Sequence, residues 1–172
     1  SNVDNSKLSF FLFDREKKRG YINLSDLVNK KFIKGACFFN GTLLHKKVIE
    51  KIKYPIKELY IHGDELEYYL RILKHNFEIL TITDSLFYHP PAVVRIYNFG
   101  IFYHYYNCVS PSKRYYRIRN LVYLSKKYHF YTWKRLIKVF VCDSLIILWK
   151  RDYQLLISNI KGFYDGIFFG SN

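Results

Sequence analysis

The sequence predicts an α/β body over residues 1–91 followed by a mostly helical region over residues 92–172, and three observations predict it. Before Pro90-Pro91 short runs alternate between a two-residue period and helical spacing; after it, helical spacing with capping signals dominates; and no internal repeat or low-complexity linker intervenes. Taken in order, Lys31 to Leu44 reads as extended chain punctuated by Gly35 and Gly41, and a short helix follows from about His45 to Ile52. From Asp64 to His75, Leu66, Tyr69, Leu70 and Leu73 recur at helical spacing, and Phe77 to Thr83 reads as a strand. Ser110-Pro111 supplies an N-cap and a first-turn proline for a helix to about Lys127. Thr132 caps the next, Trp133 to Lys150. The last, Tyr153 to Phe169, contains Gly162 and Gly166, which weaken helix locally and permit close packing.

Composition narrows the partners. A net charge of +14, from 28 Lys+Arg against 14 Asp+Glu, attracts anions such as phosphates, nucleic acid or anionic lipid. Aromatic residues make up 20% of the chain, more than a core needs, which suits stacking surfaces or a membrane-facing side. Cys37, Cys108 and Cys142 are widely separated, so neither a zinc knuckle nor a disulfide framework is indicated. The longest apolar stretch, Ile137 to Trp149, is broken by Lys138 and Asp143 and is too short to span a bilayer. Trp133 to Arg151, with Lys134, Arg135, Lys138, Lys150 and Arg151 around a greasy middle, is expected to lie on a bilayer; the alternative is packing against the α/β body.

The most informative stretch is His62-Gly63-Asp64-Glu65-Leu66-Glu67, in which a glycine turn delivers adjacent carboxylates to a helix start. Unpaired N–H groups and the positive end of the helix dipole favour ionised carboxylates there. Arg71 is spaced to pair with Glu67. Asp64 with Glu67 is equally a D-x-x-E capping box, whose usual task is only to start a helix. His89, held extended by the prolines after it, could be a ligand or a loop histidine bonded to a carbonyl. Lys113-Arg114-Tyr115-Tyr116-Arg117-Ile118-Arg119-Asn120 could hold phosphate through its cations while its tyrosines stack on rings, or form a solvated helix face.

These segments, in this order, resemble the family-2 inverting glycosyltransferases. Lys34 to Leu44, with Gly35, Asn40 and Gly41, looks like the small-residue strand lining the acceptor side, and Gly63-Asp64-Glu65-Leu66-Glu67 with Arg71 is similar to G-D-D-x-E-x-x-x-R. Tyr88-His89-Pro90 is similar to the hydrophobic-x-His element that closes the catalytic domain. Tyr115 to Asn120, like YYxxRN, and Lys161 to Gly166, like KGxxDG, are similar to the rhamnosyltransferase and galactofuranosyltransferase branch. The resemblance covers most of the chain from Lys34 onward. It implies part of a GT-A, Rossmann-like catalytic domain on its acceptor side and a helical C-terminal region. Asp64 or Glu65 would be the base, Glu67 and Arg71 its support, and His89 a metal ligand; Gly35, Asn40, Gly41, Arg117, Arg119 and Asn120 would contact acceptor or phosphate.

Two departures qualify what is carried over. Glu65 stands where the family generally has aspartate, and no Asp-x-Asp precedes Lys34, so the expectation is half an active site, inactive by itself. The intact enzyme would use a divalent metal, Mg or Mn, with none expected in this chain. Its partners would be a nucleotide-sugar donor and a saccharide or lipid-linked acceptor for cell-surface polysaccharide, in the cytoplasm or at the inner face of the cytoplasmic membrane. No nucleic acid is expected. The competing readings are a non-catalytic basic module for anionic lipid or nucleic acid, and an inactive scaffolding paralogue.

Overall fold

A computed structural model describes residues 7–38, 41–87 and 94–170. The chain is a mixed α/β protein in two compact units, the first made of residues 1–54 and 68–92 and the second of residues 55–67 and 93–172.

The first unit begins with a hairpin, β1 (Lys7–Asp14) against β2 (Arg19–Asn23). Asp14 makes the turn: its carboxylate accepts from the backbone N–H groups of Glu16 and Lys17 at 3.0 and 3.1 Å. The hairpin and the short β3 (Phe32–Lys34) enclose Leu12, Tyr21, Leu27 and Ile33. Helix α1 (Lys46–Ile52) is capped by the His45 ring, which accepts from the Lys47 N–H. Helix α2 (Asp64–Lys74) has acids in its first turn and bases in its last, the arrangement its dipole favours, and only its residues from Tyr68 onward belong to this unit. Strand β4 (Leu80–Ile82) pairs antiparallel with β3, and Phe38, Val48, Ile52, Tyr68, Ile72 and Ile79 form the second core. The extended runs expected over Lys31 to Leu44 and Phe77 to Thr83 thus contain much shorter paired strands.

The second unit opens on a hairpin within the stretch expected to be mostly helical. Strands β5 (Val94–Asn98) and β6 (Tyr103–Asn107) pair antiparallel around a turn with Gly100 at positive φ. The reason is a two-residue period in the second strand: His104 and Tyr106 are buried while Tyr103 and Tyr105 face out.

Three helices follow, the first two at the starts that Ser110-Pro111 and Thr132 predict. Helix α3 (Pro111–Tyr128) starts on Ser110-Pro111 and ends at His129 in the left-handed region. Helix α4 (Trp133–Trp149) starts under Thr132, whose hydroxyl accepts from the Arg135 N–H, and α5 (Tyr153–Phe168) starts under Asp152, whose carboxylate accepts from the Leu155 N–H.

Glycines set the main helix contact. Gly162 and Gly166, both buried and one turn apart, let α5 lie on the backbone of α3, so α5 continues unbroken through both. Away from the packed faces, α4 leaves Trp133, Ile137, Val141, Leu145 and Leu148 exposed, and α5 leaves Tyr153, Ile157, Ile160, Tyr164 and Phe168 exposed. Among the described residues no helix is long and apolar enough to cross a membrane.

A methyl group on Gly162 would meet the Tyr115 carbonyl oxygen at 2.5 Å, a backbone atom that cannot swing aside. Gly162→Ala should therefore destabilise the unit by ~1–3 kcal/mol, overriding the better helix propensity of alanine. Urea denaturation measures this, and an unchanged or higher midpoint would refute the close seam.

Candidate functional site

The site starts from a loop that cannot hold its shape alone. Tyr60 and His62 have φ of 60° and 59°, and Gly63 has φ of 108°. Left-handed backbone costs a non-glycine residue roughly 1 kcal/mol or more, so the surroundings must impose it. They do so from α3. The Asn120 side-chain amide, wholly buried, donates to the carbonyls of Leu59, Ile61 and His62 at 2.8, 3.1 and 2.7 Å. Arg119 donates to the Glu58 carbonyl and to the Asn120 side-chain oxygen, with its guanidinium 4.2 Å from the Phe169 ring centroid. Gly63 leaves room for this clamp, since a methyl group there would meet Asn120 Cβ at 3.0 Å.

The clamped loop delivers the start of α2 to an open cleft of about 880 Å³ in the second unit. His62, Gly63 and Glu65 line one side; Arg117 of α3 and Lys134, Arg135 and Lys138 of α4 supply the cations, and Tyr103, Tyr105 and Tyr131 add rings. The Arg135 guanidinium lies 4.2 Å from the Tyr131 ring centroid and Lys138 Nζ lies 3.4 Å from that of Phe102, contacts that position cations without neutralising them. One carboxylate among four cations suits a ligand that carries negative charge and also has a proton to give up.

Behind the cleft, Asp143 is wholly buried and holds three basic groups. It accepts from His104 Nε2 at 2.7 Å, from Arg114 at 2.5 Å and from Arg117 at 3.2 Å. Burial by itself would push the Asp143 carboxyl up, but the His104 hydrogen bond and the Arg114 and Arg117 charges outweigh it and hold the carboxyl below its ordinary range. Arg117 therefore has one side fixed by Asp143 and another on the cleft. His62 is shifted the other way: burial, then the positive Arg117 and Lys113, push its imidazole down against the pull of Asp64. Its Nε2 is buried with no protein hydrogen-bond partner.

Of the residues singled out in the sequence, Glu65 and Arg117 meet at the cleft. Asp64 lies at the first position of α2 and is not in the cleft lining. Glu67 is wholly buried, accepting from the Tyr128 hydroxyl at 2.6 Å and from Lys127 Nζ at 3.5 Å. Arg119 and Asn120, read as contacts for acceptor or phosphate, are buried in the loop clamp, because α3 points them at backbone carbonyls. Arg71 belongs to the first unit, where it donates to the carbonyls of Ile52 and Tyr54 at 2.7 and 3.0 Å. Gly35 is also there, with a methyl group excluded by the Phe13 carbonyl, and Gly41 lines an apolar groove in the same unit. Asn40 and His89 lie outside the described residues.

Sequence reasoning missed Asp143, which it saw only as an interruption in an apolar run. A lone acid in such a run, facing a helix with arginines three apart, is the available signal. It also gave Lys134, Arg135 and Lys138 to a bilayer and not to a cleft. Among the described residues no group of three or more His, Cys, Asp or Glu is placed to hold a metal ion. No family model, curated protein or solved structure matches the chain.

Asp143→Asn leaves buried cations without their counter-charge and should cost ~3–5 kcal/mol, read by chemical denaturation. A loss under 1 kcal/mol would mean roughly that the network is dispensable. For His62 the folded pKa is depressed, so the unfolded chain takes up the proton first as pH falls. Its contribution is complete above about pH 6.5 and is lost as pH falls toward the folded value. His62→Gln should flatten the stability profile below about pH 6.5, and an NMR titration of His62 at or above the ordinary imidazole value would contradict this.

Proposed function

We propose that this chain is the acceptor-side part of an inverting family-2 glycosyltransferase, a portion of a GT-A domain with a helical C-terminal region. In this reading it moves a sugar such as rhamnose or galactofuranose from a nucleotide-sugar to a saccharide or lipid-linked acceptor. The observation that carries it is convergence: Glu65, from the Gly63-to-Arg71 motif, and Arg117, from the Tyr115-to-Asn120 motif, line one cleft although they are far apart in sequence. A second support is that Asn120 of the later motif holds the loop that launches the earlier one.

In the proposed reaction the acceptor hydroxyl attacks the anomeric carbon, the bond from that carbon to the nucleoside diphosphate breaks with its electron pair leaving on the phosphate oxygen, and the hydroxyl proton passes to a carboxylate as the new glycosidic bond forms. Glu65 is the better candidate than Asp64, since it lines the cleft together with the cations. Arg117, Lys134, Arg135 and Lys138 would draw in a phosphate-bearing substrate and neutralise its charge. Asp143 positions Arg117 for that task.

Two measurements test this. In the full encoded protein, Glu65→Gln should lower sugar transfer by roughly 10²–10⁴-fold, the range for loss of a general base, while Asp64→Asn acts much more weakly. Near-wild-type transfer in Glu65→Gln would remove it as base. With this chain, inorganic pyrophosphate should protect against thermal unfolding, and Lys134→Gln with Arg135→Gln should abolish the protection. Salt-dependent binding that favours RNA over pyrophosphate and nucleotide-sugars would overturn the glycosyltransferase reading.

A further inference from the structure

The exposed sides of α4 and α5 share one orientation, and the geometry of their contact shows it. Ser144 meets the Asn159 amide at 3.0 Å, and the Phe140 and Phe163 rings lie 4.4 Å apart at their centroids. Residue numbers fall along one helix as they rise along the other, so the two helices are antiparallel. At 3.6 residues per turn, the exposed stripe of α4 sits roughly 80° round the helix from this seam, and that of α5 roughly 110°. Because the chains run in opposite directions, those rotations carry both stripes to the same side. The result is one face, apolar along both helices. On α5 it lies opposite the Gly162 and Gly166 side, so the packing that binds α5 to α3 is also what turns the large residues outward.

We infer that this two-helix face seats on an anionic lipid bilayer. Its rim is basic: Lys161 flanks the α5 stripe, and Lys150 and Arg151 occupy the connecting turn, all exposed. Asp143, the acid within α4, is buried on the far side and already engaged by arginines, so it does not offset the rim. Trp133, Tyr153 and Tyr164 give the face the amphipathic rings that favour the headgroup boundary. A second copy of the chain fits poorly, because a two-fold contact would set the basic rims against one another. Among the described residues no helix is long and apolar enough to cross a membrane, and the face suits an in-plane position. This inference does not depend on the glycosyltransferase reading, since it concerns a different surface and requires no chemistry.

Trp133, one of the two tryptophans of the protein, opens the α4 stripe, so intrinsic fluorescence reports the seating of the face. Vesicles of phosphatidylcholine with phosphatidylglycerol should shift the emission to the blue at low salt, and lipids brominated on the acyl chains should quench it. Pure phosphatidylcholine should bind at least tenfold more weakly, on the order of fivefold per basic residue engaged. Ile157→Asp with Tyr164→Asp should abolish the quenching, with circular dichroism as the check on folding. Lys150→Glu with Arg151→Glu and Lys161→Glu provides an independent variant, expected to lose affinity about 100-fold. No binding at low salt, equal binding to neutral vesicles, or binding without acyl-chain quenching would overturn the inference. So would a stable dimer in solution that Ile157→Asp dissociates, since the occupant would then be a second copy.

Discussion

Asp143 is the constraint on which the second unit depends. A buried carboxylate is costly, and it persists here because His104, Arg114 and Arg117 approach it from β6 and α3. The same contacts tie α4 to both elements. Removing the acid would strand Arg114, which is itself wholly buried and stacked 4.6 Å from the Tyr106 ring centroid. Such a network gives little net stability compared with an apolar core of equal volume, but it tolerates few alternative arrangements. Specificity of packing is its product, and the orientation of Arg117 at the cleft follows from it.

A second constraint operates along α3, where function and architecture use neighbouring residues. Arg117 turns toward Asp143 and the cleft, while Arg119 and Asn120 turn toward the loop before α2. Gly162 and Gly166 accept the other side of α3, at Tyr115 and Arg119. One helix thus bears the cleft cation Arg117, fixes the loop bearing His62 and sets the outward face of α5. The Tyr115 hydroxyl, donating to Asp165 at 2.7 Å, adds a polar link across the same α3–α5 seam. Local changes on α3 should therefore be felt at several places, which is why the loop geometry and the helix seam are not separable.

Helices were the legible part of the sequence, and the reason is local. Pro111 presets the first turn of α3, and Thr132 caps α4 through a partner three residues on, so the chain announces these helix starts locally; Asp152 does the same for α5, a cap that went unread. Strand pairing was less legible: β5 and β6 fall in a stretch read as helical, and β3 and β4, though inside runs read as extended, are only three residues each and are defined by pairing across some fifty residues, which no local period can reveal. At the site, the Gly63-Asp64-Glu65 turn and the arginines of α3 were visible as residues, but not their direction. Arg117 and Arg119 are two apart on a helix, hence on different faces, and one reaches the cleft while the other clamps a loop. Choosing between them requires knowing what covers each face.

The aromatic excess finds its explanation in the charge excess. With 28 basic and 14 acidic residues, carboxylates can neutralise at most half of the cations, and several acids are buried or committed to caps. Rings take up part of the remainder: Arg119 on Phe169, Arg135 on Tyr131, Lys138 on Phe102 and Lys150 on Tyr106, at 3.4–4.6 Å to the ring centroids. A ring holds a cation by roughly 0.5–2 kcal/mol and leaves its charge in place, whereas a carboxylate would cancel it. Positions fixed in this way keep their attraction for an incoming anion. Around the cleft, Arg135 and Lys138 are held by rings and Arg117 by Asp143, so the site has cations that are placed before any ligand arrives. Preplacement lowers the ordering cost of binding, and this links an unusual composition to the capacity for anion recognition.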